Sequence, residues 1–112
     1  MKRGEIWTSA GGEAYAGKPR PVVVLQDDEF AALDSVVVCP FTSNPRPAPF
    51  RVPLDPSDAN GLRRPSSVMI DKLVSVPRRR LHNQIGRLST ADLNQIRRAV
   101  MVFLGFAGTE GS

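Results

Sequence analysis

Two short segments of this 112-residue chain place side chains that suit phosphate chemistry beside valine-rich runs. Arg20 lies between two prolines directly before the run Val22 to Leu25, and the prolines restrict the backbone from which its guanidinium extends. Thr42-Ser43-Asn44 follows a second run, Val36 to Cys39, at the point where a loop leaves the predicted strand. Guanidinium and hydroxyl groups hold phosphate and stabilise charge on its oxygens. If the two runs form neighbouring strands, these groups converge on one site.

The residue types alone leave a simpler interpretation open. Arg20 on its own is compatible with an ordinary surface cation, and Thr42-Ser43-Asn44 with a turn that caps its own backbone. Other familiar arrangements are excluded by counting, because the chain has one cysteine, Cys39, and one histidine, His82, and lacks the G-x-S-x-G and phosphate-loop motifs. The same count leaves no zinc-ligand set, so we expect neither a metal ion nor another cofactor.

Positive charge is concentrated in the second part of the chain. Residues 1–45 carry four basic and six acidic side chains, whereas residues 46–112 carry eleven basic and five acidic ones. Arginine supplies 12 of the 15 cations, and its planar fork suits bidentate contacts with phosphate. An ordinary solvated basic surface has the same composition. The run Arg78-Arg79-Arg80 is likewise compatible either with a solvated surface or with contacts along a phosphate backbone. Charge therefore indicates an anionic partner without identifying it.

Short runs rich in β-branched residues, bounded by Pro, Gly, Asn or Asp, predict a mainly β fold, a barrel or a sandwich, with one C-terminal helix. The predicted strands are Arg3–Trp7, Pro21–Gln26, Ser35–Phe41, Phe50–Leu54, Ser67–Lys72 and Gln84–Arg87. The second and third are apolar without alternation, which predicts central strands covered on both faces. Pro53 predicts an edge position for the fourth strand, because proline cannot donate to a ladder.

The C-terminal segment has the pattern of a helix over Thr90–Leu104. Ser89-Thr90-Ala91-Asp92 is a helix start, and Gly105 is a suitable stop. An apolar stripe at helical spacing runs between them and is expected to pack on the barrel or on a partner subunit. Its members are Leu93, Ile96, Val100, Phe103 and Leu104.

The length and composition fit one folded domain. A chain of 112 residues with 41% hydrophobic and 23% charged residues has the make-up of a soluble globular protein. We expect a single domain over residues 1–107 and a flexible tail over 108–112. The longest apolar stretch, Ala99 to Ala107, is too short to span a bilayer, and no apolar leader follows Met1, so a cytoplasmic location without membrane contact is expected.

Six segments, in this order, resemble the MazF/PemK-type toxins, and the resemblance covers nearly the whole chain, from Lys2 to about Leu104. The segments are Arg3-Gly4-Glu5-Ile6-Trp7, Gly17-x-x-Arg20-Pro21-Val22-Val23-Val24, Val38-Cys39-Pro40-Phe41-Thr42-Ser43-Asn44, Pro49-Phe50-Arg51-Val52, Ser67-Val68-Met69-Ile70-Asp71-Lys72 and Arg80-Leu81-x-x-x-Ile85-Gly86-Arg87-Leu88-Ser89. The resemblance implies an SH3-like β-barrel with a C-terminal helix, assembled as a homodimer. It also implies a sequence-specific, metal-independent endoribonuclease that cleaves single-stranded RNA by attack of the 2′-OH and is restrained by a cognate MazE-like antitoxin.

Carried over residue by residue, the resemblance assigns catalytic roles to Arg20 and Thr42. The candidate RNA-binding residues are Tyr15, Lys18, Ser43, Asn44, Asp71 and Arg79, and the loop from Ser43 to Pro49 is a candidate for reading bases. Asp71 matches an acid that some relatives use, but Met69 stands where those relatives have an arginine, so a structural role for Asp71 stays open. Two alternative functions also stay open: a gyrase-directed toxin of the CcdB type, and an RNA-binding barrel that does not cleave.

Overall fold

The computed structural model describes residues 1–10, 20–44 and 46–107. Within these residues the chain forms seven strands and one α-helix, as the sequence predicted for a mainly β fold with a C-terminal helix. The strands are β1 (Glu5–Ser9), β2 (Arg20–Val24), β3 (Ser35–Thr42), β4 (Arg51–Leu54), β5 (Ser66–Met69), β6 (Val74–Pro77) and β7 (Leu81–Arg87), and the helix is α1 (Thr90–Leu104). Single 3₁₀ turns cover Asp28–Phe30, Ile70–Lys72 and Arg78–Arg80.

The strands form one antiparallel sheet in the order β4-β5-β3-β2-β1-β7. The long strand β3 is shared, because its first half pairs with β6 and its last two residues pair with β5. The sheet coils in the manner of a barrel, but no hydrogen-bonded pairing between described strands closes it from β7 to β4. The expected barrel is therefore approximate. The predicted edge position of β4 is confirmed, with Pro53 exposed.

Both faces of β2 and β3 are covered, as their unbroken apolar runs predicted. On one face Val23 and Cys39 belong to the main core, which also takes in Ile96 of the helix. On the other face Val22 and Val24 pack with neighbours from β3 and β7 in a second cluster. Burial raises the pKa of the Cys39 thiol to about 12, so this cysteine stays protonated and has the character of a core residue.

The helix begins and ends where the sequence predicted. The Ser89 hydroxyl accepts a hydrogen bond from the backbone N–H of Asp92 at 3.1 Å. Gly105 ends the helix with φ of 81°, a left-handed conformation that favours glycine. Ile96 is fully buried on the sheet, whereas Phe103 and Leu104 are about half exposed. The helix therefore docks by its first half and leaves the apolar residues of its last turn accessible.

Two strand predictions were wrong in their extent, and one strand was missed. The segment Ser67–Lys72 is not one strand, because Ile70–Lys72 forms a 3₁₀ turn in which the Leu73 N–H donates to the Ile70 carbonyl. The turn redirects the chain into β6, a strand that the sequence prediction missed. The last strand starts at Leu81 rather than Gln84 because its first residue pairs with Ser9.

An ion pair ties the edge strand β4 to the turn after β5. Arg51 donates from Nε to Asp71 Oδ1 at 2.9 Å and from its terminal nitrogen to Asp71 Oδ2 at 3.1 Å. Both side chains are about four-fifths buried. The hydrogen bonds from the Arg51 guanidinium hold the pKa of the Asp71 carboxyl below its usual value. This bidentate contact is compatible with the structural role that the sequence left open for Asp71.

Asp71→Asn should make the free energy of unfolding less sensitive to a fall in pH below neutrality. Because the pKa of Asp71 is lower in the folded chain than in the unfolded chain, its ion pair stabilises the fold above about pH 4 and is lost as the pH falls further. We expect the variant to be about 1 kcal/mol less stable than wild type in urea unfolding at pH 7, with the gap shrinking towards pH 3. The exposed Asp58→Asn is the control, and an Asp71→Asn gap that stays constant from pH 7 to pH 3 would contradict the prediction.

Candidate active site

The pairing of β2 with β3 places the two predicted catalytic residues together. The register pairs Val22 with Pro40 and Val23 with Cys39. Continued by two residues towards the start of β2, the same register sets Arg20 opposite Thr42, the last residue of β3. The sequence prediction that the two strands are neighbours is confirmed.

Arg20 and Thr42 line one open cavity of about 800 Å³ at this end of the sheet. Its lining combines apolar side chains, among them the buried core residue Leu62 and neighbours from β3 and β7, with hydroxyl and guanidinium groups. The lining residues are Thr8, Arg20, Pro21, Phe41, Thr42, Ser43, Gly61, Leu62, Arg63, Arg64, Ser66 and Ile85. A cavity of this size accommodates several atoms of a polymer backbone together with part of a flanking base.

The Thr42 hydroxyl is oriented by its own backbone. Its Oγ1 accepts a hydrogen bond from the backbone N–H of Asn44 at 3.1 Å, and the Asn44 Oδ1 in turn accepts from the N–H of Arg46 at 3.1 Å. The simpler interpretation of this segment, a turn that caps itself, is thus correct as local structure. It is also compatible with a site, because a hydroxyl oxygen that accepts from an N–H still has its own O–H to donate to a phosphate oxygen.

Two arginines that the sequence did not single out complete the cavity. Arg63 and Arg64 line it from the loop between β4 and β5, and both are exposed. Buried Asn60 shapes this loop: its Oδ1 accepts from the N–H groups of Ser57 and Leu62, at 3.0 and 2.9 Å. A sequence signal existed in the adjacent Arg-Arg pair, but it is indistinguishable from a solvated charge pair without the loop's position.

The charged side chains in the described lining of the cavity are all positive. Its described lining has three arginines, Arg20, Arg63 and Arg64, and neither a carboxylate nor an imidazole. Three guanidiniums around one open space attract a polyanion and can share the charge of a single phosphate and its neighbours. The arrangement can bind a nucleic-acid strand and stabilise negative charge that grows at a phosphorus atom, but its described groups include no ordinary general base.

The remaining predicted RNA-binding residues are not all brought to this cavity. Ser43 lines it, whereas Asn44 lines a smaller cavity beside it. Asp71 lines neither cavity and is held by Arg51. Arg79 is exposed in the turn before β7 and also lies outside both linings. Tyr15 and Lys18 lie outside the described residues.

Neither a metal centre nor a membrane span is found in the described part of the chain. No three His, Cys, Asp or Glu side chains within it are grouped to hold a metal ion. Its one α-helix is not long and apolar enough to cross a membrane.

Comparisons with known proteins agree with the fold. A probable endoribonuclease MazF of Mycolicibacterium smegmatis is 50% identical over 109 residues, which cover 96% of this chain and 100% of the relative. The Mycobacterium tuberculosis toxin MazF-mt6 matches with a TM-score of 0.79 at 28% identity, over 93% of this chain and 99% of that one. An endoribonuclease from a mycobacterial species, in complex with its cognate antitoxin, matches with a TM-score of 0.81 at 22% identity, over 96% and 98% of the two chains.

The family expected from the sequence segments is confirmed on a wider basis. A family model described as the PemK-like, MazF-like toxin of type II toxin-antitoxin systems matches residues 2–104. This span contains all seven described strands and the helix. The chain belongs to the PemK-like, MazF-like family of toxins.

Proposed function

We propose that this protein is the toxin of a type II toxin–antitoxin pair and cleaves single-stranded RNA, with Arg20 and Thr42 at the scissile phosphate. The observation that carries the assignment of these two residues is that they line one cavity, with Arg63 and Arg64 on its rim. The 50%-identical relative is named a probable endoribonuclease, in keeping with this activity. The substrate is RNA rather than DNA because the cavity supplies charge stabilisation and the ribose supplies the nucleophile.

The reaction follows from what the cavity contains. The 2′-OH attacks the adjacent phosphorus, the bond from phosphorus to the 5′ oxygen breaks, and the products are a 2′,3′-cyclic phosphate and a 5′-OH. The 2′ oxygen loses one proton and the leaving 5′ oxygen gains one. Arg20 donates hydrogen bonds to the non-bridging oxygens as their charge grows, and the Thr42 O–H holds the same phosphate. Because RNA contains its own nucleophile, the step does not require a metal-bound hydroxide.

The described lining of the cavity contributes little to the transfer of protons during cleavage. A guanidinium has hydrogen-bond donors and no acceptor, so Arg20 is suited to stabilise charge and, in any proton transfer, to donate a proton rather than to accept one. The described lining has no carboxylate or imidazole to accept the 2′-OH proton. The rate enhancement that these residues provide is therefore mainly electrostatic and positional, through fixed cations and an oriented hydroxyl.

A protein antitoxin and a cytoplasmic location belong to the same proposal. A structural relative is described in complex with its cognate antitoxin, and MazE-MazF complexes of Deinococcus radiodurans share this fold with TM-scores up to 0.73. We expect the antitoxin of this chain to present an acidic, partly disordered segment that covers the arginine-lined cavity. Such a segment would exclude RNA by occupying the positions of its phosphates. We place the pair in the cytoplasm, where RNA is translated.

Purified protein should cut a long, weakly structured RNA at discrete positions in buffer containing EDTA. It should leave a DNA of the same sequence intact, because deoxyribose lacks the 2′-OH. Mapping of the new ends should reveal 2′,3′-cyclic phosphate and 5′-OH termini. RNA that is bound but stays uncut would instead support the non-catalytic barrel, and inhibition of gyrase with intact RNA would support the CcdB type of toxin.

Arg20→Ala and Thr42→Ala should each remove most of the activity without unfolding the chain. Loss of one donor to a developing oxyanion costs on the order of 10²–10³ in rate, and we expect at least this loss for Arg20→Ala. Thr42→Ser keeps the hydroxyl and should retain far more activity than Thr42→Ala. Single-turnover cleavage measures the effect, with Arg97→Ala, an exposed arginine on the helix, as the control.

Circular dichroism and sedimentation should be the same for all these variants. Full activity of either alanine variant would remove that residue from the site.

The proposal also includes a homodimer, supported by an uncovered apolar surface at the end of α1. Five large apolar side chains there are exposed by 39–72%: Met101, Val102, Phe103, Leu104 and Phe106. Among them only Phe103 has a described ring contact, with Phe50 at a centroid distance of 5.8 Å. Contiguous exposed apolar residues of this kind mark contact surfaces, and a two-fold symmetric pair is the commonest assembly of small chains.

Val102→Asp should shift the assembly from dimer to monomer. The side chain is 60% exposed in the single chain, so a carboxylate costs little there, whereas its burial in a subunit interface without a partner is unfavourable. Sedimentation at micromolar concentration should give twice the chain mass for wild type and the chain mass for the variant. Gln95→Asp, at an exposed polar position of the same helix, is the control. A wild-type protein that sediments as a monomer would contradict the dimer.

A further inference from the structure

A second, smaller cavity adjoins the arginine-lined one. It measures about 190 Å³, and it shares Thr42, Ser43 and Ser66 with the larger cavity as a common wall. Asn44, Asp55 and Ser67 add further polar groups, and prolines form part of its sides. Its volume is below the range of cavities that hold a whole small molecule, so it suits one planar group attached to something larger.

The two cavities differ in the sign of their charge. Among the described lining residues, the larger cavity has three arginines and no acid, whereas the smaller cavity has Asp55 and no lysine or arginine. A phosphate is therefore attracted to the first cavity and repelled from the second. A strand that places a phosphate beside Thr42 has only uncharged groups, ribose or base, to offer the adjoining cavity, and the planar one among them is the base.

The polar groups of the smaller cavity have hydrogen-bonding capacity to spare. No described group donates a hydrogen bond to the Asp55 carboxylate, and it forms no ion pair within residues 1–10, 20–44 and 46–107. The Asn44 Oδ1 accepts from the Arg46 N–H, which leaves the amide Nδ2 as a donor. The lining thus includes both a charged acceptor and an amide donor.

The position of Asp55 is determined by a buried amide. Asn60, only 3% exposed, donates from Nδ2 to the Asp55 carbonyl at 2.8 Å, while its Oδ1 fixes the following turn. The backbone under the carboxylate is therefore held in place before a ligand arrives. Preorganisation of this kind lowers the entropic cost of recognition.

We propose that the smaller cavity is a recognition subsite for the base of a nucleotide flanking the scissile phosphate, and that it selects a base carrying an exocyclic amino group. The Asp55 carboxylate accepts hydrogen bonds from that amino group, and the Asn44 amide donates to a ring nitrogen or carbonyl of the same base. The inference rests on the proposed cleavage of RNA. It adds Asp55 as a specificity residue and states the chemistry of the base it accepts.

Uracil is the base that such a subsite rejects. Its hydrogen-bonding edge has one ring N–H between two carbonyls, so a carboxylate that approaches this edge meets acceptor oxygens on both sides. Adenine, cytosine and guanine each offer an amino group. Uracil is rejected because its carbonyl oxygens face the Asp55 carboxylate, and two hydrogen-bond acceptors repel each other. Such repulsion discriminates more strongly than the mere loss of a contact.

The test is cleavage of a single-stranded RNA library with randomised sequence by wild type and by Asp55→Asn. We expect wild type to disfavour uracil by about tenfold or more at one of the two positions flanking the cut. Asp55→Asn, which keeps the shape and removes the charge, should lose most of this discrimination at that position alone. Asp58→Asn makes the same change on an exposed acid of the same loop that lines neither cavity, and it should behave as wild type.

A change in the base tests the contact itself. In the best substrate, the base at that position is replaced by an analogue without its amino group, such as inosine for guanosine. Cleavage by wild type should fall by about tenfold or more, whereas Asp55→Asn should be nearly indifferent, so that the two changes are not additive.

The possible failures can be told apart. A protein that cuts RNA but shows the same uracil discrimination with Asn or Asp at position 55 overturns the subsite and leaves the nuclease intact. A preference of wild type for uracil at both flanking positions does the same. A protein that leaves all RNA intact overturns the proposed function and the subsite with it.

Discussion

The register between β2 and β3 is the constraint on which the site depends. Val22 and Val24 pack on one side of the sheet and Val23 on the other, so both faces of β2 are committed to apolar clusters. A slip by one residue would exchange the faces of every side chain in the strand and expose or overfill both clusters. The core therefore determines which residue of β3 lies opposite Arg20. In this way packing, rather than any polar contact, places a guanidinium opposite a threonine.

The second wall of the site depends on close backbone contact. Gly61 has φ of 71°, and a Cβ at this position would meet the Ile85 carbonyl, while a Cβ on Gly86 would meet the backbone of Asn60. The loop that carries Arg63 and Arg64 thus lies directly against β7, closer than any side chain would permit. Two glycines and one buried asparagine set the distance between this loop and the sheet, and through it the width of the cavity.

Local patterns in the sequence were sufficient to predict the strands and the helix that bury apolar residues. The unbroken valine runs predicted β2 and β3 as central strands, and Ser89 and Gly105 predicted both ends of the helix. Strand β6 was missed because Val74–Pro77 is short and gains its pairing only from β3, more than thirty residues earlier in the chain. Tertiary pairing of this kind leaves little trace in a four-residue pattern.

The site could be predicted only in the half that adjoins those strands. Arg20 and Thr42 follow from neighbouring strands, and the family resemblance pointed to the same pair. Arg63 and Arg64 reach the cavity through a loop whose path depends on Asn60 and on close approach to β7. Nothing in their immediate sequence distinguishes them from Arg78-Arg79-Arg80, of which none lines either cavity. Position in three dimensions, and not charge, separates the two arginine groups.

The separation of positive and negative charge between the two cavities separates affinity for RNA from selection among RNA sequences. Contacts between arginine and phosphate bind any strand, weaken as salt is added and carry no sequence information. An additional cation would therefore increase affinity for all RNA equally. Discrimination requires groups that phosphates do not occupy, and a carboxylate is such a group because it repels phosphate and is able to accept hydrogen bonds from the N–H groups of a base. The common wall of Thr42, Ser43 and Ser66 places the two kinds of group in adjoining cavities. Because Asp55 lines only the smaller cavity and the three arginines line only the larger one, a substitution at Asp55 can change the preferred sequence without changing the groups that stabilise charge.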